Sequence, residues 1–418
     1  MLQLETLFSQ DNVPCTRQEY GLYLLCKIIP LGEAQSISRL PLNLALVIDN
    51  SGSMYGDDKR IHLALEAAIQ AVNLLSPTDF VSVIAFSDSE RVVQQALPAS
   101  NRDQIIRSIQ SILKMPSGGT NIPAGMRAGS AELLRNLSKD RLNRVLLLTD
   151  GNTEHEDQCP GIVSREAEKG ISFSTFGVGF DWNEKLLSLI AERSGGKWHY
   201  IDSPQKIGQA FQQELGVMMN SVFSNVRLGL KFFQNDVLRE AKIVSPEVKE
   251  VRIDGDPISR NYQITLGAME RNRQINLLVN LALIGRAPGR YNIASISVQY
   301  DLSGQPNQST KPESLAVNFV TDNNLVYNNG EVLRWVDDAQ IDKMVRKATE
   351  LAASGEKQKA TVLLQNAGSL SDKRGDSRKT TLINNALTEL GAQGSISRKT
   401  VIEAQNEARK TKLMPDDN

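Results

Sequence analysis

Pro41–Met54 reads PLNLALVIDNSGSM. Its apolar run, Leu44–Ile48, stops abruptly at Asp49, Asn50, Ser51, Gly52 and Ser53. A short apolar run bounded by small polar residues predicts a strand buried on both faces, as in a parallel sheet. The oxygens that follow stand where that strand leaves the sheet. In open α/β sheets this carboxyl edge is where ligands bind. Asp49, Ser51 and Ser53 occupy alternate positions, so a tight loop can turn them toward one point. Short oxygen side chains gathered in this way begin a hard-cation site.

Outward from this stretch, residues 41–222 alternate strand and helix. Phe80–Phe86, Arg144–Leu148, Ile171–Val178 and Trp198–Ile201 read as strands. Between them, Arg60–Leu75 carries Ile61, Leu65, Ile69, Val72 and Leu75 at helical spacing. Asn101–Leu113, Ile122–Leu134, Asn183–Arg193 and Pro204–Asn220 follow the same rule. Strand–helix alternation with short loops predicts a doubly wound, mostly parallel sheet. Arg91–Ala96 follows its strand too closely for a crossover and should be an antiparallel edge strand.

The pattern changes at residues 223–321, where short alternating runs are separated by turns such as Asp254-Gly255-Asp256-Pro257. Many short strands at regular spacing predict an antiparallel β-sandwich. Residues 1–40 hold two strand-like runs, Leu2–Leu7 and Leu22–Ile29, with no other partner. They are assigned to the same sandwich, which makes the α/β unit an insertion within a discontinuous all-β domain. Residues 322–330 read as a polar linker, and 331–418 as an α-helical C-terminal region with a frayed tail. Within that region Ser371–Lys379 is dense in charge and reads as a solvated interhelical loop.

Bulk properties narrow the function classes. The 418 residues imply about two to four domains. A formal net charge of −1 argues against a general nucleic-acid binder. Three cysteines, Cys15, Cys26 and Cys159, do not make a disulfide framework and favour a reducing compartment. The first residues lack the basic and apolar regions of a secretion signal, and no apolar stretch near them is long enough to span a bilayer. The expected location is cytoplasmic.

Two further loops complete the chemistry. Ser117-Gly118-Gly119-Thr120-Asn121 precedes a helix, and its glycines permit close backbone approach to a ligand. Leu146–Gly151, LLLTDG, is a second buried strand ending in a carboxylate. DNSGSM, GGTN and LLLTDG, in this order and at these separations, resemble the von Willebrand factor A domain and its metal-ion-dependent adhesion site. All five positions of the pattern Asp-x-Ser-x-Ser, Thr, Asp are filled, by Asp49, Ser51, Ser53, Thr120 and Asp150. The overall layout is similar to bacterial cytoplasmic proteins in which this domain interrupts a β-sandwich and a helical region follows. The resemblance implies that Ser51, Ser53 and Thr120 coordinate a metal directly, and that Asp49 and Asp150 do so directly or through water. It leaves one position for an Asp or Glu carboxylate of a partner protein. The donor set is hard oxygen, which suits Mg²⁺, with Mn²⁺ also accommodated.

Rival chemistries are weaker. A hydrolase would pair Ser51 or Ser53 with His155, but there is no G-x-S-x-G elbow. His155, Glu156, Asp157 and Cys159 do not repeat the spacing of a zinc site. An aspartyl-phosphate enzyme built on Asp49 would want a second carboxylate where Ser51 stands. No Walker A motif occurs. His62 and His199 stand in a helix start and a strand without an adjoining motif, and read as structural. The expected function is thus a non-enzymatic, Mg²⁺-dependent protein-interaction module. The alternative is an accessory subunit that recruits substrate to an ATPase, kinase or chelatase.

Overall fold

The computed structural model describes residues 1–15, 18–32, 37–151, 153–179, 183–303 and 305–411. The expected frayed tail, 412–418, lies outside them. The chain opens with Leu2–Phe8 (β1), Asn12–Pro14 (β2) and Tyr20–Pro30 (β3). It then enters the α/β unit through Leu42–Asp49 (β4), Arg60–Leu74 (α1), Phe80–Phe86 (β5), Glu90–Pro98 (β6), Arg102–Ser111 (α2) and Ile122–Leu134 (α3). Leu142–Thr149 (β7), Cys159–Glu168 (α4), Ile171–Val178 (β8), Glu184–Ser194 (α5), Trp198–Ile201 (β9) and Ile207–Asn220 (α6) complete it.

These strands form one sheet in the order β6-β5-β4-β7-β8-β9. Every neighbouring pair is parallel except β5–β6, so β6 is an antiparallel edge. β4 and β7 are buried along their whole length because helices cover both faces. α1, α2 and α6 pack on one face, and α3, α4 and α5 on the other. Two glycines bring α3 unusually close to the sheet. A Cβ on Gly125 would lie 2.9 Å from Val47 Cγ1 and from the Phe86 ring, and one on Gly129 2.7 Å from Val47 Cγ2. The chain runs from β4 to β5 on one side and later returns to β7 on the other. That reversal opens a crevice at the carboxyl ends of β4 and β7.

The second block comprises Ser221–Phe232 (β10), Val237–Ser245 (β11), Lys249–Glu250 (β12), Arg252–Asp256 (β13), Asn261–Glu270 (β14), Ile275–Leu283 (β15), Gly289–Leu302 (β16), Gln305–Ser309 (β17) and Glu313–Val320 (β18). One sheet runs β1-β3-β15-β11-β12; the other runs β13-β14-β10-β16-β18-β2, with β17 paired to β16. Leucines, valines and phenylalanines from both inner faces make a single core. The sandwich is not purely antiparallel, which corrects the sequence reading. Asn318–Val320 pairs in parallel with Asn12–Pro14, because the N-terminal segment crosses from one sheet to the other between β1 and β3. α6 ends at Asn220 and β10 begins at Ser221, so the α/β unit joins the sandwich without a linker.

The C-terminal region is Gly330–Ala353 (α7), Lys357–Lys373 (α8), Ser377–Gln393 (α9) and Arg398–Arg409 (α10). α7 serves two cores. Val332, Trp335 and Val336 pack on the sandwich beside Leu25, Val244 and Leu278, and Ile341 and Val345 enter the helical bundle. One segment makes contacts that the sequence did not show, and one expectation needs correction. Residues 322–330 are tied to the N-terminal segment, through Asp11 N–H to Tyr327 O at 3.2 Å and Asn329 N–H to Ser9 O at 2.9 Å. Ser371–Lys379 is not a solvated loop: Ser371 and Lys379 are buried, and Lys379 Nζ donates to Lys410 O at 2.8 Å. That contact draws α9 against the end of α10. Among the described residues no helix is long and apolar enough to cross a membrane.

Candidate metal centre

β4 and β7 deliver their terminal residues side by side. Register pairs Ile48 with Leu148, so Asp49 and Thr149 follow at the same level. Asp49 is fully buried, and both of its oxygens are held. Oδ1 accepts from the Ser51 N–H at 2.8 Å, and Oδ2 accepts from Thr149 Oγ1 at 2.5 Å. Burial pushes its carboxyl up to about 6, against the opposing effect of these hydrogen bonds. Asp49 is therefore the brace that turns the chain from strand into loop.

The loop carries Ser51 and Ser53 toward Asp150. Ser51 Oγ lies 3.0 Å from Ser53 Oγ, and Ser53 Oγ donates to Asp150 Oδ1 at 2.7 Å. The Gly118 loop approaches through backbone alone: Gly52 N–H donates to Gly118 O at 3.0 Å, and Ser51 and Gly118 form a parallel bridge. Thr120 comes from the same loop. Its Oγ1 lies 3.8 Å, and Ser53 Oγ 3.9 Å, from the place where a Cβ on Gly151 would stand, so both hydroxyls flank one glycine. All five residues named from the sequence thus stand at the same end of the sheet, on three loops.

The donor set fits a small hard dication. Two carboxylates and three hydroxyls supply only oxygen. The 2.7 and 3.0 Å separations around Ser53 match the ~3 Å edge of an octahedron with bonds of about 2.1 Å. Ser51, Ser53, Thr120 and Asp150 would hold such an ion, with Asp49 behind them placed to reach it through water, and the ion would supply a point of positive charge for an incoming anion. Among the described residues no three His, Cys, Asp or Glu side chains gather to hold a metal. Cys159 opens α4 and is buried in the apolar core, whereas His155 and Glu156 in the turn before it are exposed.

Sequence reasoning missed several supports. Thr149 is one, although the pattern TDG contains it. Thr153 is another: its hydroxyl donates to Thr120 O at 3.1 Å and accepts from the Ile122 N–H at 2.8 Å, which fixes the Thr120 loop. Asp88 follows β5 and accepts from the Gly119 N–H at 2.9 Å. Its carboxylate fills the space beside Gly118, where a Cβ would lie 2.0 Å from Asp88 Oδ2, so a side chain there would push Asp88 off the loop. Arg60, at the start of α1, pairs with Asp150 Oδ2 at 2.7 Å. His199 is structural, as read: it lies 2.9 Å from Glu214 Oε2 and stacks on Phe176 with centroids 4.7 Å apart.

Residues 43–213 match the model of the von Willebrand factor type A domain. The chain is 30% identical over 290 residues to the uncharacterized protein sll0103 of Synechocystis, covering 68% of this chain and 67% of that one. It is 26% identical over 268 residues to the Escherichia coli protein YfbK, covering 63% of this chain but only 45% of that one. The chain thus spans about two thirds of the first relative and under half of the second. A von Willebrand factor type A structure from Catenulispora acidiphila has the same fold, with a TM-score of 0.81 at 19% identity, over 98% of this chain and 97% of that one. Domains of this type mediate protein interactions and commonly bind a divalent metal at the adhesion site. The motifs, the sheet order and these likenesses agree, and the chain belongs to the von Willebrand factor type A domain family.

Proposed function

We propose that this chain is a Mg²⁺-dependent protein-interaction module whose ligand is an Asp or Glu side chain of another protein. The observation that carries the reading is the convergence of Ser51, Ser53, Thr120 and Asp150 from three loops at the crevice between β4 and β7. Hydroxyl donors leave much of a dication's charge uncompensated, so an anion is the natural final ligand. The role is binding rather than catalysis, and Mn²⁺ should substitute for Mg²⁺. Cys15, Cys26 and Cys159 are all free, which suits the proposed reducing, cytoplasmic setting.

The test is capture of partners from native lysate by the full chain. Wild-type protein in Mg²⁺ should retain a partner that chelator elutes, and Asp150→Ala should retain none. Equal retention in all three conditions would sink the reading. An ATPase or kinase among the eluted proteins would identify the module as a recruiting subunit.

A further inference from the structure

Arg60 stands in an unusual position for a cation, against a carboxylate assigned to a dication. Lys59 has left-handed backbone, φ 54°, and turns the chain just ahead of α1. The Arg60 guanidinium then forks between two carboxylates: Nε meets Asp58 Oδ2 at 2.7 Å, and Nη1 meets Asp150 Oδ2 at 2.7 Å. The Asp150 side chain is fully buried, whereas Arg60 is partly exposed. Gly179, after β8, walls the guanidinium on another side; a Cβ there would lie 3.7 Å from Arg60 Cζ. The guanidinium is therefore fixed. It occupies one oxygen of Asp150 while Ser53 engages the other.

We propose that Arg60 is an affinity-determining residue that keeps metal binding weak until an anionic ligand arrives. The proposal rests on the reading of the site as a metal centre. A guanidinium is always charged and cannot relieve the conflict by losing its proton. A dication entering on the Ser53 side of Asp150 meets that fixed charge across a single carboxylate. The repulsion acts in a partly buried site, where water screens it only in part. A carboxylate from a partner adds negative charge beside both cations and removes the conflict. Metal and acidic ligand should consequently bind cooperatively, each tightening the other by the same factor.

The test uses the full chain, freed of metal by chelator and titrated with Mn²⁺ alone, read by electron paramagnetic resonance. Arg60→Gln should bind Mn²⁺ about tenfold more tightly than wild type, the scale of a lost like-charge contact in a partly buried site. Arg60→Lys should stay near wild type. Asp58→Asn, which leaves the guanidinium to Asp150 alone and removes a nearby negative charge, should weaken Mn²⁺ binding. Added acetate should raise Mn²⁺ affinity in wild type and do so less in Arg60→Gln. Unchanged or weaker binding by a folded Arg60→Gln, judged by its circular dichroism, would overturn the proposal and make Arg60 a structural brace. Absence of Mn²⁺ binding in wild type and every variant would overturn the metal reading as well.

Discussion

Thr149 donates its hydroxyl to Asp49 Oδ2 at 2.5 Å, joining the ends of the two central strands. The bond is local to neither strand, since the residues are 100 positions apart. It fixes the carboxylate whose other oxygen caps the Ser51 N–H, and so sets the direction in which the serine loop departs. Thr149→Val keeps the shape of the side chain and deletes the donor. It should cost about 1–3 kcal/mol, because a buried carboxylate oxygen loses its partner. Urea unfolding measures that loss, and Mn²⁺ titration should show weaker binding as the serine loop loosens.

Ser53 is the hinge of the oxygen cluster, touching both Ser51 and Asp150. It is exposed, but its hydroxyl satisfies an oxygen of the buried Asp150 carboxylate, so replacing it leaves that oxygen without its donor. Ser53→Ala should cost about 1–3 kcal/mol, the same loss as Thr149→Val, and Mn²⁺ affinity should fall at least about tenfold, the effect of one lost ligand. Calorimetry on one preparation reads both. A Ser53→Ala protein that binds Mn²⁺ like wild type would remove Ser53 from the ligand set.

Gly125 and Gly129 seat α3 directly on β4, behind the serine loop. Helix propensity alone favours alanine at both sites by about 1 kcal/mol. The packing opposes it, since each new Cβ would meet Val47 at under 3 Å. Overpacking costs about 1–3 kcal/mol, so Gly129→Ala should be destabilising despite its better propensity. Thermal melting decides between the two effects: a raised midpoint would mean that α3 can move away from the sheet at little cost.

The α/β unit was legible because β4 and β7 are apolar on both faces, and their oxygens follow immediately in sequence. The site was legible because DNSGSM, GGTN and LLLTDG resemble a known motif set, and the strand order implied by that resemblance sets their ends side by side. What the sequence hid was contact between distant polar groups. Arg60 looks like any surface residue of a helix start, and its partner is 90 residues away. Lys379 sits in a run of charges that resembles solvated loop, yet its ammonium is buried against the Lys410 carbonyl. β2 has only three residues, too few for an alternating pattern, so its parallel pairing with β18 left no periodic trace. Apolar periodicity encodes layers; it carries no record of which charges meet across them.

Glu214 gives the last prediction, because it ties α6 to the sheet. Its carboxylate accepts from Arg144 Nη1 at 2.7 Å and from Ser174 Oγ at 2.5 Å, and lies 2.9 Å from His199 Nε2. Burial alone would raise its carboxyl, but the His199 contact, Arg144 and Ser174 outweigh it and hold the group well below the ordinary 4.5. With the folded value depressed, the unfolded chain takes up a proton first as pH falls. The stability that Glu214 contributes is thus complete above 4.5 and declines as pH drops below it. Glu214→Gln should lose about 3–5 kcal/mol at neutral pH, since it strands Arg144 in the interior. It should also flatten the fall in melting temperature between neutral and acidic pH. α6 runs directly into β10, so loosening it should reach the sandwich as well. Hydrogen exchange in Glu214→Gln should rise through residues 207–232. Exchange that rises in α6 but leaves β10 untouched would show that the two domains move independently.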